Sequence, residues 1–168
     1  YSGKLDFQTY QSNDTPFDRS ITMVNGYPLH NSGFTGKNIL IAILDGGFEN
    51  TNLISSTSHL RVRNGIKATF DFVNKSSNVY YSTTHGTAVL SILAGMIPGS
   101  LEGSAPGADY LLLKTEDVST EFPCEEDFWA AGAEYADSSG ADIISSSLGY
   151  FNFDDPSLNY KITDLDGN

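Results

Sequence analysis

Apolar residues along the chain follow two periodicities, and their order predicts the fold. NILIAIL (Asn38–Leu44) is apolar at almost every position. That pattern predicts a strand covered on both faces, as in a parallel sheet. DGGFENTN follows at once and must turn tightly. KATFDFV (Lys67–Val73) alternates and predicts a second strand, DYLLLKT (Asp109–Thr115) a third, and the less apolar DIISSSLG (Asp142–Gly149) a fourth. Two stretches have helical spacing instead. Val89, Ile92, Leu93 and Met96 recur on one face, beside Ala88, with Pro98 and Gly99 beyond to end the run. EEDFWAAGAEYADSSG puts Trp129, Gly132, Ala133 and Ala136 on another face, and Gly140 is a natural stop. Glu125, Glu126 and Asp127 crowd its first turn, where unpaired N–H groups favour anions.

Strand, strand, helix, strand, helix, strand is the order of an open, mainly parallel α/β sheet flanked by helices. Residues 1–37 read as a polar arm with one short helix around Ile21 to Leu29. NKSSNVYYSTT and the closing YFNFDDPSLNYKITDLDGN read as loop. A length of 168 residues suits one core, so 1–168 is taken as a single unit. Its last clear element is a strand with nothing after it to cover it. The sheet is therefore expected to be incomplete in this chain and finished by another portion.

Charge narrows the partners. The 21 acidic residues against 9 basic ones give a formal charge of -12. That field repels phosphates and argues against nucleic acid and anionic membranes. Cys124 is the only cysteine, so no internal disulfide can form. No apolar run approaches the ~20 residues needed to span a bilayer. The start at Tyr1 shows neither methionine nor a basic-then-apolar leader, which suggests either processing or an artificial boundary.

Two residues stand where chemistry is expected. Asp45 ends the best strand before Gly46 and Gly47, on the side where open α/β sheets bind ligands. It reads equally as a turn aspartate or as a carboxylate that orients a histidine. His85 opens the first helix, and a neutral imidazole used as a base needs a carboxylate on its other nitrogen. Asp45 is the candidate; a capping or core histidine is the plainer alternative. Asp71, inside the second strand, reads as a structural residue or a loop-facing partner. Zinc is disfavoured because His85 and Cys124 lack partners at ligand spacing. GFTGKN precedes its strand instead of following it, which disfavours a phosphate loop. DLDGN cannot complete an EF-hand, because too few residues follow it.

IAILDGGFEN, THGTAVLSILAG and ADIISSSLGY, in this order, resemble the three early blocks of subtilisin-like serine peptidases. The resemblance covers about residues 22–150. It implies that Asp45 and His85 are the aspartate and histidine of a catalytic triad. It also implies that Ser147, Leu148 and Gly149 edge a substrate cleft, with Ser119, Thr120 and Glu121 as its opposite wall. Ala88 stands where the family often has histidine, and Ser145 where asparagine is frequent. The later blocks, with the nucleophilic serine and an oxyanion asparagine, do not occur among these residues. The chain is thus expected to be the N-terminal portion of a catalytic domain, inactive by itself. A companion chain or downstream segment would carry the serine. The substrate would be protein or peptide. The resemblance further implies secretion or an extracytoplasmic location, a zymogen stage with a propeptide, and structural calcium with unassigned ligands. It implies no cofactor for catalysis. Two readings compete with it: a non-catalytic binding or assembly module on the same scaffold, and an unrelated metal-dependent hydrolase.

Overall fold

The computed structural model describes residues 19–164. The arm expected before Arg19 and the last four residues of DLDGN lie outside the described residues. Four parallel strands form the sheet: β1 (Leu40–Asp45), β2 (Ile66–Asp71), β5 (Asp109–Lys114) and β6 (Ile143–Ser146), in the order β2-β5-β1-β6. Between β2 and β5 lies a small antiparallel hairpin, β3 (Met96–Ile97) with β4 (Leu101–Glu102). The helices are α1 (Arg19–Met23), α2 (Tyr27–Asn31), α3 (Ser58–Val62), α4 (His85–Ala94) and α5 (Cys124–Ser138).

β1 is central because its side chains are apolar on both sides. Ile41 and Ile43 enter one cluster with Leu60 of α3, Leu90 and Ala94 of α4, and Tyr110 and Leu112 of β5. Ala42 and Leu44 enter the other, with Leu111, Leu113 and Ala136 of α5. So α3 and α4 cover one face and α5 the other. This is the α/β layering that the run NILIAIL requires.

The strand order has a topological consequence. β2 to β5 and β5 to β6 step across the sheet in the same direction, yet α4 and α5 lie on opposite faces. Those two crossovers therefore have opposite hands. β1 to β2 steps the other way, with α3 on the face opposite α5, so it shares the hand of the α5 crossover. Parallel crossovers are overwhelmingly right-handed. The odd connection is the one that carries α4.

Several elements differ from the sequence expectation. The buried face of α4 is Gly86, Thr87, Leu90 and Ala94, one position away from the expected stripe, and Ile92 is 59% exposed. The cause is Gly86, whose amide bonds the Gly47 carbonyl at 3.1 Å and turns that side inward. α4 also ends at Ala94, four residues before Pro98, and the hairpin takes up the difference. The single helix expected at 21–29 is two short ones, broken around Gly26. β6 stops at Ser146, so residues 147–149 lie beyond the strand. Buried His30 of α2 bonds Glu102 of β4 at 2.7 Å through Nδ1, and the Ser104 carbonyl at 3.0 Å through Nε2. No helix among the described residues is long and apolar enough to cross a membrane.

Candidate active site

Strand β1 delivers Asp45 to its carboxyl end, fully buried. Two glycines then let other chain segments close over that end. A Cβ on Gly46 would stand 2.6 Å from both Glu116 Oε2 and Val118 Cγ1, and one on Gly47 would collide with the Tyr81 carbonyl. Gly47 also has φ +154°, which disfavours any side chain. On the other side, a Cβ on Gly86 would meet the Gly47 carbonyl oxygen at 2.5 Å. Three glycines thus bring the end of β1 and the start of α4 into main-chain contact.

His85 is the first residue of α4, and its amide donates to Thr83 Oγ1 at 3.2 Å. Its Nδ1 lies 3.0 Å from Asp45 Oδ1 and 2.9 Å from Oδ2. Asp45 Oδ1 also accepts from the Gly46 amide at 2.8 Å. A carboxylate accepts only, so the bond assigns the proton to Nδ1 and leaves the Nε2 lone pair as the basic one. The His85 side chain is 54% exposed, so the imidazole bridges a buried anion and open solvent. Burial pushes the Asp45 carboxyl above its usual value, while the bonds from His85, Gly46 and Gly47 pull the other way. Such a geometry can hold an imidazole in one tautomer and stabilise its protonated form.

Asp71 is structural, as its position inside a strand predicts. It accepts from the amides of Val73 and Asn74 at 2.9 Å and from the Tyr81 hydroxyl. Burial raises its pKa, but these donors and the neighbouring Lys114 ammonium hold it below the usual range. Lys114, also buried, lies 3.9 Å from Asp71 and donates to the Glu116 carbonyl at 2.8 Å.

The two expected cleft walls flank α5 in the sequence. Ser119 is an exposed turn residue whose amide and hydroxyl both donate to Asp117 Oδ1, and the Thr120 amide donates to the Asp117 carbonyl at 3.0 Å. Glu121 is half-buried and tied to Asp154 by two hydrogen bonds. Ser147 and Gly149 are exposed. Leu148 lines an open cavity of about 560 Å³ with Glu126, Trp129, Ser146 and Tyr150. Trp129 is fixed there by donating to Ser146 Oγ at 2.9 Å.

One residue near the pair escaped the sequence reading. Glu116 follows β5 and folds against Gly46, within the field of Asp45 and His85. Its signal was its place at the carboxyl end of a strand, the side where such sheets bind ligands. Among the described residues, no group of three or more His, Cys, Asp or Glu is placed to hold a metal ion.

The Subtilase family model matches residues 36–165. Subtilisin E of Bacillus subtilis (strain 168) is 30% identical over 131 residues, which are 77% of this chain and 32% of that protein. The Major intracellular serine protease of Bacillus subtilis (strain 168) is 29% identical over 161 residues, 88% of this chain and 47% of that protein. Among solved structures, MycP1 with its N-terminal propeptide removed superposes with a TM-score of 0.57 at 20% identity, covering 77% of this chain and 36% of that one. That likeness bears on the fold alone. The chain spans a third to a half of the length of these curated relatives. With the match running over most of its residues, the chain belongs to the subtilase family.

Proposed function

We propose that this chain supplies the aspartate and histidine of a serine endopeptidase that hydrolyses peptide bonds of proteins. The observation that carries the reading is the paired contact of the Asp45 carboxylate with His85 Nδ1, at 2.9 and 3.0 Å. In this reading Nε2 takes the proton from a serine hydroxyl as it attacks the scissile carbonyl, then returns it to the leaving amine. Asp45 stays ionised and stabilises the imidazolium between those steps. The serine and the oxyanion asparagine come from a downstream segment or a companion chain. Support comes from the relatives, whose length is two to three times the portion matched here. The extended substrate lies between Ser119–Glu121 and Ser147–Gly149, bonded mainly through its backbone.

Secretion and a zymogen stage belong to the same proposal; the intracellular relative shows that the family occupies more than one compartment. Structural calcium stands apart. Among the described residues no group of three or more His, Cys, Asp or Glu gathers to hold it, and no step is assigned to it.

A fluorophosphonate probe tests the reading on the complete protein. Labelling is expected on a serine outside these 168 residues and is expected to vanish in His85→Ala. Labelling that survives His85→Ala would remove His85 as the base, and a complete protein that never labels would favour the non-catalytic scaffold.

A further inference from the structure

We infer that the cleft wall beside the Asp45–His85 pair takes a cationic side chain of the substrate, with Glu116 as the residue that reads it. The inference rests on the peptidase reading and names the substrate class that the same site prefers: peptides carrying lysine or arginine next to the scissile bond.

Four observations converge on it. First, Glu116 is placed at the reacting end of the sheet. Its Oε2 lies against Gly46, directly after Asp45, with Val118 and Thr83 closing on the same point. Second, no donor among the described residues bonds its carboxylate, and only the field of His85 and Lys114 offsets its charge. Among the described residues no hydrogen-bond donor is placed on the carboxylate of Glu116 or of Glu121, whereas Asp117 is taken by Ser119, Asp154 by the Glu121 amide and Glu126 by the Tyr160 hydroxyl. Neighbouring Lys114 is committed to Asp71 and to the Glu116 main chain.

Third, a buried group points to the same deficit. Glu125 is 1% exposed, and its Oε1 accepts from the Phe122 amide while its Oε2 has no partner. Burial raises its pKa first, the Phe122 amide lowers it, and the charges of Glu121, Glu116 and Asp117 raise it further. The Tyr150 hydroxyl, also buried without a partner, feels Glu116 and Glu125 in turn. Burial and the charges of Glu121 and Asp45 likewise raise Glu116, against His85 and Lys114. Fourth, these carboxylates are not grouped as metal ligands. An ammonium or guanidinium on an extended peptide would supply the donor that the Glu116 carboxylate does not have. A charge placed there would be partly desolvated by Val118 and the substrate itself, which strengthens the pairing.

The test measures, on the complete protein, kcat/KM for peptides that differ only by lysine or norleucine at each position near the scissile bond. The lysine-to-norleucine ratio is expected to reach about tenfold at one position, to fall toward one in Glu116→Gln, and to recover in Glu116→Asp. Glu121→Gln is expected to lower the same ratio in part. A ratio near one in the unaltered protein, or one that Glu116→Gln leaves unchanged, would overturn the inference. If the fluorophosphonate finds no serine, the peptidase reading has failed by itself, and equilibrium binding of the same peptide pair reads the ratio instead. Calcium binding that is lost in Glu116→Gln, with no preference for the lysine peptide, would make the wall a metal site and overturn the inference too.

Discussion

Asp45 and Glu125 are both buried carboxyls, and their partners decide what each can do. Asp45 has an imidazole on its two oxygens, so an anion can persist there despite burial. Replacing it by asparagine keeps the shape but lets the wrong tautomer of His85 form. If the proposed peptidase reading holds, Asp45→Asn is expected to lower kcat of the complete protein by roughly 10⁴-fold with little change in KM, read by steady-state kinetics. Glu125 has one amide and an empty second oxygen, and burial pushes its pKa from 4.5 up to about 7. A carboxyl raised on folding contributes stability that is complete below the unfolded value of 4.5 and is lost as pH rises through about 7. Glu125→Gln, which mimics the neutral form, should therefore match the parent below pH 4.5 and exceed it by about 1–3 kcal/mol above pH 7. Denaturant melts across that range would check this. Asp45 and His85 were legible in the sequence because each stands at a sharp boundary between apolar run and turn. Glu116 was not. Its approach to Asp45 depends on β5 pairing beside β1, with Asp45 level with Lys114, and no local pattern announces a strand's neighbour.

At the scale of elements, α4 is seated by its first turn. The stripe Val89, Ile92, Leu93 and Met96 suggests a face by periodicity alone, and Val89 and Leu93 do pack against the core. The contact of Gly86 with Gly47 and Phe48, however, centres the buried face on Leu90 and Ala94 and leaves Ile92 outside. Periodicity finds a helix well and its azimuth poorly when a glycine contact outweighs one apolar side chain. Gly86→Ala tests that order of importance. Its methyl group would enter the space of the Gly47 carbonyl and the Phe48 ring. A loss of about 1–3 kcal/mol in an unfolding titration is expected, together with slower probe labelling as His85 shifts. The two-residue strands of the hairpin were illegible for a different reason. Strands of that length carry no alternation to read, and Gly99, at φ +73°, marks only their turn. α5 was read correctly, since Gly132 and Ala136 must be small to lie against the sheet.

For the whole molecule, the sheet is unevenly covered. Ile143 and Ile144 of β6 point to opposite faces and remain 50% and 41% exposed. An apolar strand at a sheet edge pairs readily with another chain. The 168-residue chain expressed alone is expected to self-associate with rising concentration, and Ile144→Lys to suppress it; sedimentation velocity would distinguish the two. The layered α/β plan was readable from the order of elements. The hand of each connection was not, because residue patterns are the same for either routing.

That hand has a chemical consequence. Suppose β2 and β5 were joined the usual way, with every residue unchanged. α4 would then cover the α5 face of the sheet, and its apolar side could still be buried. His85 would open on the far side of the strands from the glycines that receive it, and Asp45 would orient nothing. The dyad is thus a chiral property of the chain path: two mirror-related routings of one sequence would be about equally greasy, and only one of them could move a proton.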